Sequence, residues 1–185
     1  IDSWCRGAPW IKVHNWYDIE PAKSIGAKVF YRPYDADSTY HDDGNLPSDR
    51  TGAQYADMVW DRISGLQKKP DAVGYRNEFN WNYPASSKRT CAQFVSYANR
   101  LRERGYGGKI IFGSFGVGWV DSAIWNDTDL RNAVTASDGV ETHEYFDLHV
   151  TCCAPWLAFR HRDLAIAAHP YLQGKEWYIG EFGSD

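Results

Sequence analysis

Short apolar runs and amphipathic stretches alternate along the whole chain. The runs are rich in β-branched and aromatic residues, have the length of strands, and predict six of them, at residues 10–15, 27–35, 71–78, 109–115, 140–146 and 176–183. The stretches between them have helical periodicity and predict helices, at residues 18–25, 51–69, 90–104, 130–137 and 159–172. A long polar segment over residues 36–50 predicts a loop.

Two of these helices have a clear apolar face. The first carries it at Ala56, Val59, Ile63 and Leu66, and the second at Cys91, Phe94, Ala98 and Leu101. Gly26 and Gly105 follow predicted helices and indicate left-handed C-terminal caps. The helices should therefore pack one side against a sheet.

Strict alternation of strand and helix predicts an α/β fold with a parallel sheet and helical crossovers. Two architectures compete, an open doubly wound sheet and a (β/α)₈ barrel of the TIM type. A doubly wound nucleotide-binding fold normally has a glycine-rich turn after its first strand, whereas here that strand ends in His-Asn-Trp-Tyr. A barrel would also gather the strand-end polar residues at one face, namely His14, Arg32, Glu78, Ser114, His143 and Glu181. This convergence favours the barrel.

Composition excludes several classes of protein. The length of 185 residues suits one domain, and 43% hydrophobic with 24% charged residues is ordinary for a soluble globular chain. A net charge of −4 without a basic run argues against nucleic acid as a partner. No apolar run is long enough to span a bilayer. Aromatic residues make up 16%, which suits flat ligands such as sugars, although a Trp-rich core is an equally plain explanation.

The four cysteines do not form a metal-binding pattern. Cys91 lies on the apolar face of its helix and is expected to be buried and reduced. Cys152 and Cys153 follow the fifth predicted strand, where a crosslink would brace a loop. One or two disulfides, with three pairings open, would fit a secreted or extracellular protein, but the sequence does not fix the redox compartment.

The strand beginning at Asp71 ends in Asn77-Glu78, and Phe79, Asn80 and Trp81 follow at once. A carboxylate at the carboxyl end of an inner strand, surrounded by aromatic rings, is where barrel enzymes place catalytic groups. The alternative is that Glu78 only caps the next loop and that the rings cover the surface.

Four strand-end motifs occur in a recognisable order, Asn77-Glu78, Gly113-Ser114-Phe115-Gly116, His143-Glu144-Tyr145 and Gly180-Glu181-Phe182-Gly183. This order resembles the fourth to seventh strands of the clan A glycoside hydrolases, which are retaining enzymes on a (β/α)₈ barrel. The chain looks most similar to little-characterised phage and bacterial barrels with a His-Glu-Tyr sixth strand. The resemblance covers about residues 10–185.

The resemblance implies a catalytic pair of glutamates. Glu78 would be the acid/base and Glu181 the nucleophile in a double displacement at an O-glycosidic bond. Asn77 would donate a hydrogen bond to the sugar 2-hydroxyl, and Tyr145 would keep the nucleophile ionised. The mechanism calls for a carbohydrate substrate and for neither a cofactor nor a metal ion.

The other candidate substrate-binding residues carry less specific signals. His143 and Tyr145 have the same parity, so both can face one side of their strand. Arg32 would hold the nucleophile carboxylate through its positive charge, or else form a salt bridge inside the barrel. Trp81 would supply a stacking surface, and His14 lies at the end of the first predicted strand.

Only six strands can be identified, and they correspond to the second to seventh of such a barrel. Because a (β/α)₈ barrel takes about 250 residues, residues 1–185 are expected to be one catalytic barrel domain that is incomplete at both ends. The sheet should then have edges at the strands near Ile11 and Ile179, which further chain segments would cover.

Two other functions remain open at this point. A catalytically inactive barrel that binds carbohydrate or serves a structural role would retain the aromatic cleft but hold the two glutamates beyond reacting distance. A small-molecule enzyme on a flavodoxin-like sheet would need a phosphate-binding turn, which the sequence does not contain.

Overall fold

A computed structural model describes residues 5–33, 51–76, 84–115, 122–146 and 169–184 of the chain. For residues 84, 86, 122–123, 144–146 and 181–184 it describes the backbone alone. The strands are β1 (Trp10–Val13), β2 (Lys28–Tyr31), β3 (Ala72–Val73), β4 (Lys109–Phe115), β5 (Gly139–Phe146) and β6 (Glu176–Ser184). The helices are α1 (Ile19–Ser24), α2 (Gly52–Ile63), α3 (Pro84–Glu103), α4 (Ser122–Trp125) and α5 (Thr128–Ala136), with 3-10 turns at Trp16–Asp18 and Pro170–Leu172.

The six strands form one parallel sheet in the order β1-β2-β3-β4-β5-β6. Each strand therefore pairs with the next along the chain, and the strand order never reverses. A doubly wound sheet requires such a reversal, so that alternative is wrong. The predicted α/β class and the predicted parallel sheet are confirmed.

The sheet curls into a half-barrel with helices between its strands. In the described part of the chain, β1 and β6 form its two edges, at the positions that the sequence predicts. In a flat sheet, five inter-strand gaps would hold these edges about 24 Å apart. Instead, the ring of Trp10 on β1 meets that of Tyr178 on β6 edge to face, with centroids 5.4 Å apart.

The two faces of the sheet have different surroundings. The outer face packs against the helices and forms the main core, which includes Val29, Tyr31, Val73, Ile110, Phe112 and Val140. The inner face holds a small apolar cluster of Phe30, Ala72 and Ile111, with Trp10 and Tyr178 packed against it. Because side chains alternate between the faces of a strand, the polar residues interleaved with the core positions face inward.

Helix α2 begins with a complete capping box, in which the Thr51 side chain accepts from the Gln54 amide and the Gln54 side chain accepts from the Thr51 amide. Its predicted buried face is confirmed for Ala56, Val59 and Ile63. The predicted extension to residue 69 is wrong, because the helix ends at Ile63. Beyond that point the Gln67 amide donates to the Glu20 carboxylate at 2.8 Å instead of continuing the helical ladder.

Helix α3 begins at Pro84 instead of Thr90, and proline suits the first turn of a helix because it has no N–H to satisfy there. Its predicted apolar face is buried at Cys91, Phe94, Ala98 and Leu101. Gly26 and Gly105 both have positive φ, of 86° and 89°, as expected for the residues that end helices. Cys91 is free, as predicted, and so is Cys5.

Some predictions lie outside the described residues, including the loop over 36–50, Cys152 and Cys153, and most of the helix over 159–172. The short helix α4 and the early start of α5 at Thr128, where Asp127 caps it, were not predicted. In the part of the chain that the structure describes, no helix combines the length and apolar character needed to cross a membrane.

Candidate functional site

Charged and polar side chains meet on the inner face of the sheet, in what we call the interior cluster: Lys12, Arg32, Ser114, Glu141 and His143. Lys12 comes from β1, Arg32 directly follows β2, Ser114 comes from β4, and the other two come from β5. Arg32, Ser114, Glu141 and His143 are at most 5% exposed, and the Lys12 side chain is 14% exposed. Buried charges are costly unless they are paired, so this arrangement needs a specific reason.

The Glu141 carboxylate is the centre of the interior cluster. Its Oε1 accepts from Lys12 Nζ at 2.7 Å and lies 3.4 Å from His143 Nε2. Its Oε2 accepts from Ser114 Oγ at 2.7 Å. Both oxygens of this buried carboxylate are thus hydrogen-bonded, as a buried charge requires.

The surroundings of Glu141 stabilise its ionised form. Burial acts to raise its pKa, but the hydrogen bond from His143 and the charges of Lys12 and Arg32 outweigh burial. Together they lower the pKa of Glu141 from 4.5 to about 2. The carboxylate is therefore negatively charged at any pH at which the protein would be assayed.

Arg32 connects the remaining members of the interior cluster. Its Nη1 lies 3.3 Å from Ser114 Oγ and 3.4 Å from His143 Nε2. A guanidinium group can only donate, so Ser114 accepts from Arg32 while its own hydroxyl donates to Glu141. We assign the His143 proton to Nε2, because the ionised Glu141 carboxylate lies within hydrogen-bond distance of this atom. With this tautomer Arg32 Nη1 and His143 Nε2 are both donors, so they do not hydrogen-bond to each other.

His14 lies beside this group, half-buried, one residue beyond the end of β1. Its Nδ1 is 3.2 Å from the Arg32 carbonyl oxygen, to which it donates. The structure thus brings three predicted site residues together, namely His14, Arg32 and His143.

A β-bulge flanks Glu141 on each side. Between β4 and β5, Gly113 pairs with Glu141 and Phe115 with Thr142, so Ser114 is an extra residue. Between β5 and β6, Ile179 pairs with Thr142 and Glu181 with His143, so Gly180 is an extra residue. Bulges redirect strands and are common beside active sites.

The Ser114 bulge holds strained backbone. Ser114 has φ of +54°, in the left-handed region that non-glycine residues rarely adopt, and Gly113 before it has φ of +123°. This strain persists because the hydroxyl of Ser114 is fixed between Arg32 and Glu141.

The Gly180 bulge lies directly against the Glu141 carboxylate. A Cβ added at Gly180 would stand 1.7 Å from Glu141 Oε1, so a larger residue there would displace the Glu141 carboxylate. Lys12 Nζ donates to the Gly180 carbonyl oxygen at 3.0 Å, in addition to its ion pair with Glu141. One lysine therefore joins the first strand of the sheet to both the fifth and the sixth.

The backbone beyond the bulge brings two more predicted positions to the carboxyl ends of β5 and β6. Glu181 is the register partner of His143, and Tyr145 is the partner of Gly183. Asn77, Glu78 and Trp81 lie outside the described residues. Arg76, which directly precedes Asn77, is buried and lies over the rings of Tyr55 and Tyr75.

Sequence reasoning missed Lys12 and Glu141, although a signal for both was present. Strands of a parallel sheet are normally covered on both faces and apolar throughout, yet Lys12 and Glu141 stand inside such strands. Two opposite charges at these positions can remain buried only as partners.

A cavity of about 390 Å³ lies beside the interior cluster and shares Lys12 with it. It is lined by Trp10, Lys12, Phe30, Glu176, Trp177, Tyr178 and Ile179. Within the described ranges, no group of three or more His, Cys, Asp or Glu residues is arranged to hold a metal ion.

The interior cluster can stabilise a further negative charge placed next to it. It places two cations, Lys12 and Arg32, around the Glu141 carboxylate near the carboxyl ends of β5 and β6.

Comparison of the chain with models of known protein families finds no match. Comparisons with curated proteins and with solved structures find no match either.

Proposed function

We propose that this chain is the catalytic part of a retaining glycoside hydrolase that cleaves O-glycosidic bonds by double displacement. Glu181 would attack the anomeric carbon, and Glu78 would protonate the leaving oxygen and later activate water. The half-barrel would belong to a (β/α)₈ barrel, in which strand carboxyl ends form the site.

The observation that carries this proposal is the position of Glu181. It stands opposite His143 in the β5–β6 register, directly after the Gly180 bulge. The interior cluster next to this position contains the cations Lys12 and Arg32, and a nearby positive charge favours the ionised form of a carboxylate. A glycosidase nucleophile must be ionised to attack.

The assignment of Glu78 depends on its place in the chain. It comes two residues after the described end of the β3 segment, at Arg76. Because β3 pairs with β4 and the sheet is parallel, the carboxyl end of β3 shares an edge with those of β4, β5 and β6. A side chain that follows β3 can therefore approach one that follows β6 across the mouth of the half-barrel.

The remaining predicted residues divide into two groups under this proposal. Asn77, Trp81 and His14 would contact the sugar, and Tyr145 beside them would donate a hydrogen bond to Glu181 and keep it ionised. Arg32 and His143 would act from beneath, because both are buried in the interior cluster. They would then affect the reaction electrostatically, by stabilising the charge of Glu181, without contacting the substrate.

Kinetics of three variants test the mechanism. We expect Glu181→Gln to abolish turnover of every glycoside. Glu78→Gln should spare the first step for activated aryl glycosides, whose leaving group needs no proton, and added azide should yield a glycosyl azide of retained configuration. Glu103→Gln, at an exposed glutamate on α3, is the matched control and should be unchanged.

The separation of the two carboxyl groups is an independent test. Direct attack predicts about 5–5.5 Å, whereas about 6.5–9.5 Å would leave room for a water molecule and imply inversion. Full activity of Glu181→Gln or Glu78→Gln on an unactivated glycoside would overturn the assignment. Tight sugar binding by the wild type without any hydrolysis would favour the inactive carbohydrate-binding alternative.

A further inference from the structure

We propose that Lys12 and Glu141 are positioning residues that hold the Gly180 bulge and so determine which residue of β6 stands beside His143. The inference rests on the proposed role of Glu181 as nucleophile. It assigns a task to an ion pair that the glycosidase mechanism itself does not use.

The first step of the argument is the register of β6. Ile179 is the partner of Thr142, so an unbulged ladder would continue with Gly180 opposite His143 and Glu181 opposite Glu144. The bulge instead makes Glu181 the partner of His143. Successive positions of a strand belong to opposite faces, so a slip of one residue exchanges the faces. Without the bulge, position 181 would take the register of the helix-covered face.

The second step is what holds the bulge in place. An extra residue is left out of the ladder, and its backbone polar groups need other partners. Lys12 Nζ donates to the Gly180 carbonyl oxygen at 3.0 Å. The Glu141 carboxylate fills the space where a side chain at position 180 would be, with Oε1 only 1.7 Å from the Cβ of an added alanine.

The third step is that the two residues depend on each other. Lys12 and Glu141 form an ion pair of 2.7 Å in which the carboxylate side chain is 2% exposed. Removing one partner leaves a buried charge, whereas replacing both with apolar side chains of similar volume is often neutral for stability. Stability and positioning can therefore be separated by experiment.

The same carboxylate also reaches the other bulge, since Ser114 Oγ donates to Glu141 Oε2. Glu141 thus contacts the extra residue of each strand that flanks β5. Because both contacts are made by the same carboxylate, a substitution at position 141 should disturb the bulges of β4 and β6 together.

The kinetic arm compares Lys12→Met with the double variant Lys12→Met/Glu141→Met. We expect both to lower kcat by roughly a hundredfold, the loss typical of a displaced catalytic group, with KM nearly unchanged. The double variant leaves neither partner of the ion pair unpaired, but it takes the carboxylate from Arg32 and the acceptor from Ser114. Its Tm should therefore fall by several degrees while the fold is kept, so it remains informative if the single variant does not fold. Lys109→Met is the control, because Lys109 forms an exposed ion pair with Glu176 near the start of β6. It should leave kcat unchanged.

Hydrogen exchange provides an arm that does not depend on activity. In the double variant, amides of residues 181–184 should exchange roughly tenfold faster, while those of α2 should keep their wild-type rates. A stable double variant with wild-type exchange in β6 would overturn the positioning role, whatever its activity. A wild type that hydrolyses no glycoside, combined with faster exchange in the double variant, would reject the proposed function and retain the positioning role.

Discussion

Glu141 shows how much a single side chain depends on its neighbours. The carboxylate is 2% exposed, which by itself would favour the neutral acid. The hydrogen bond from His143 and the positive charges of Lys12 and Arg32 reverse this preference and lower the pKa of Glu141. Lys12 and Arg32 are desolvated beside this carboxylate in the folded protein. A variant that removes the negative charge of Glu141 therefore takes a partner from both cations.

We therefore expect Glu141→Gln to lower the free energy of unfolding by about 3–5 kcal/mol at pH 7, the usual loss when one partner of a buried ion pair is removed. The pKa of Glu141 is lower in the folded protein, about 2, than the ordinary value of 4.5. Between these values the unfolded chain binds more protons, so acid favours unfolding. The stabilisation is thus complete above about pH 5 and is lost as the pH falls towards 2.

Urea denaturation of both proteins at several pH values measures this difference. The gap between wild type and variant should narrow by about 3 kcal/mol between pH 5 and pH 2, since each pKa unit corresponds to about 1.4 kcal/mol. Glu103→Gln should stay within about 0.5 kcal/mol of the wild type, because its ion pair with Arg100 is exposed. A gap that does not change with pH would contradict the low pKa of Glu141.

Gly180 is a second residue at which a small change, the addition of one methyl group, should affect stability. Gly180→Ala should destabilise the fold by about 1–3 kcal/mol, the usual cost of an overpacked site, because the new methyl group meets Glu141 Oε1. In a Glu141→Ala background the same substitution should cost much less, since the clashing carboxylate is gone. A double-mutant cycle measures this coupling, and additive effects would show that the two residues do not touch.

At the scale of elements, helices α2 and α3 approach each other closely at Gly52. A Cβ at Gly52 would lie 1.8 Å from the Gln93 carbonyl oxygen and 2.9 Å from the Tyr97 nitrogen. Replacing a helical glycine with alanine usually adds about 0.5–1 kcal/mol of stability. Here the first turn of α2 lies against the backbone of α3, so the usual gain should be reversed.

We expect Gly52→Ala to lower the free energy of unfolding by about 1–3 kcal/mol. Gly65→Ala is the control, because an added Cβ there meets nothing within 4 Å and its φ is not positive. Chemical denaturation of the two variants gives the comparison directly. Equal stability of the two would show that the helices can separate at no cost.

The elements themselves were largely predictable from local pattern. The boundaries of β4 match the sequence prediction at both ends, and β5 and β6 differ by one residue at one end. Apolar runs identify these strands because a buried strand needs consecutive apolar residues, which can be recognised from a short stretch of sequence. The end of α2 at Ile63 was missed because the predicted helix ran through Gly65, although glycine is among the residues least favourable in a helix interior.

The candidate site was predictable only in part, because some of its contacts join residues far apart in the sequence. Strand-end polar residues such as Arg32 and His143 can be read from the sequence, since topology brings the carboxyl ends together. The ion pair of Lys12 and Glu141 joins residues 129 positions apart. The bulges at Ser114 and Gly180 each lie at a glycine inside a strand, Gly113 and Gly180. Glycine in a strand interior often marks a bulge, so sequence reasoning missed a local signal for both.

At the scale of the whole molecule, Cys91 can report on opening of the main core. It is 1% exposed and packs within the core cluster that joins the sheet and helices. Burial, followed by the negative charges of Asp129 and Asp127, raises the pKa of the Cys91 thiol well above its ordinary value. The thiolate, which is the reactive form, is therefore suppressed in the folded state.

In a chain with Cys5, Cys152 and Cys153 replaced by serine, we expect a thiol reagent to modify Cys91 only as fast as the protein unfolds. The rate should rise with urea in parallel with global unfolding measured by tryptophan fluorescence. A chain that keeps only Cys5, which is partly exposed, should react rapidly under native conditions. Rapid native labelling of Cys91 would show that α3 opens independently of the sheet.

The hydrogen bond from Lys12 to Gly180 also has a consequence for the order of folding. Each strand pairs with its neighbour along the chain, so most of the sheet can assemble stepwise from nearby segments. The bond between Lys12 and Gly180 spans 168 positions, and closing so large a loop has the highest entropic cost. During synthesis, therefore, we expect the newly made chain to acquire its helices and first five strands before position 181 can take its register. Under the proposed function, the candidate site would be complete only after this bond has formed.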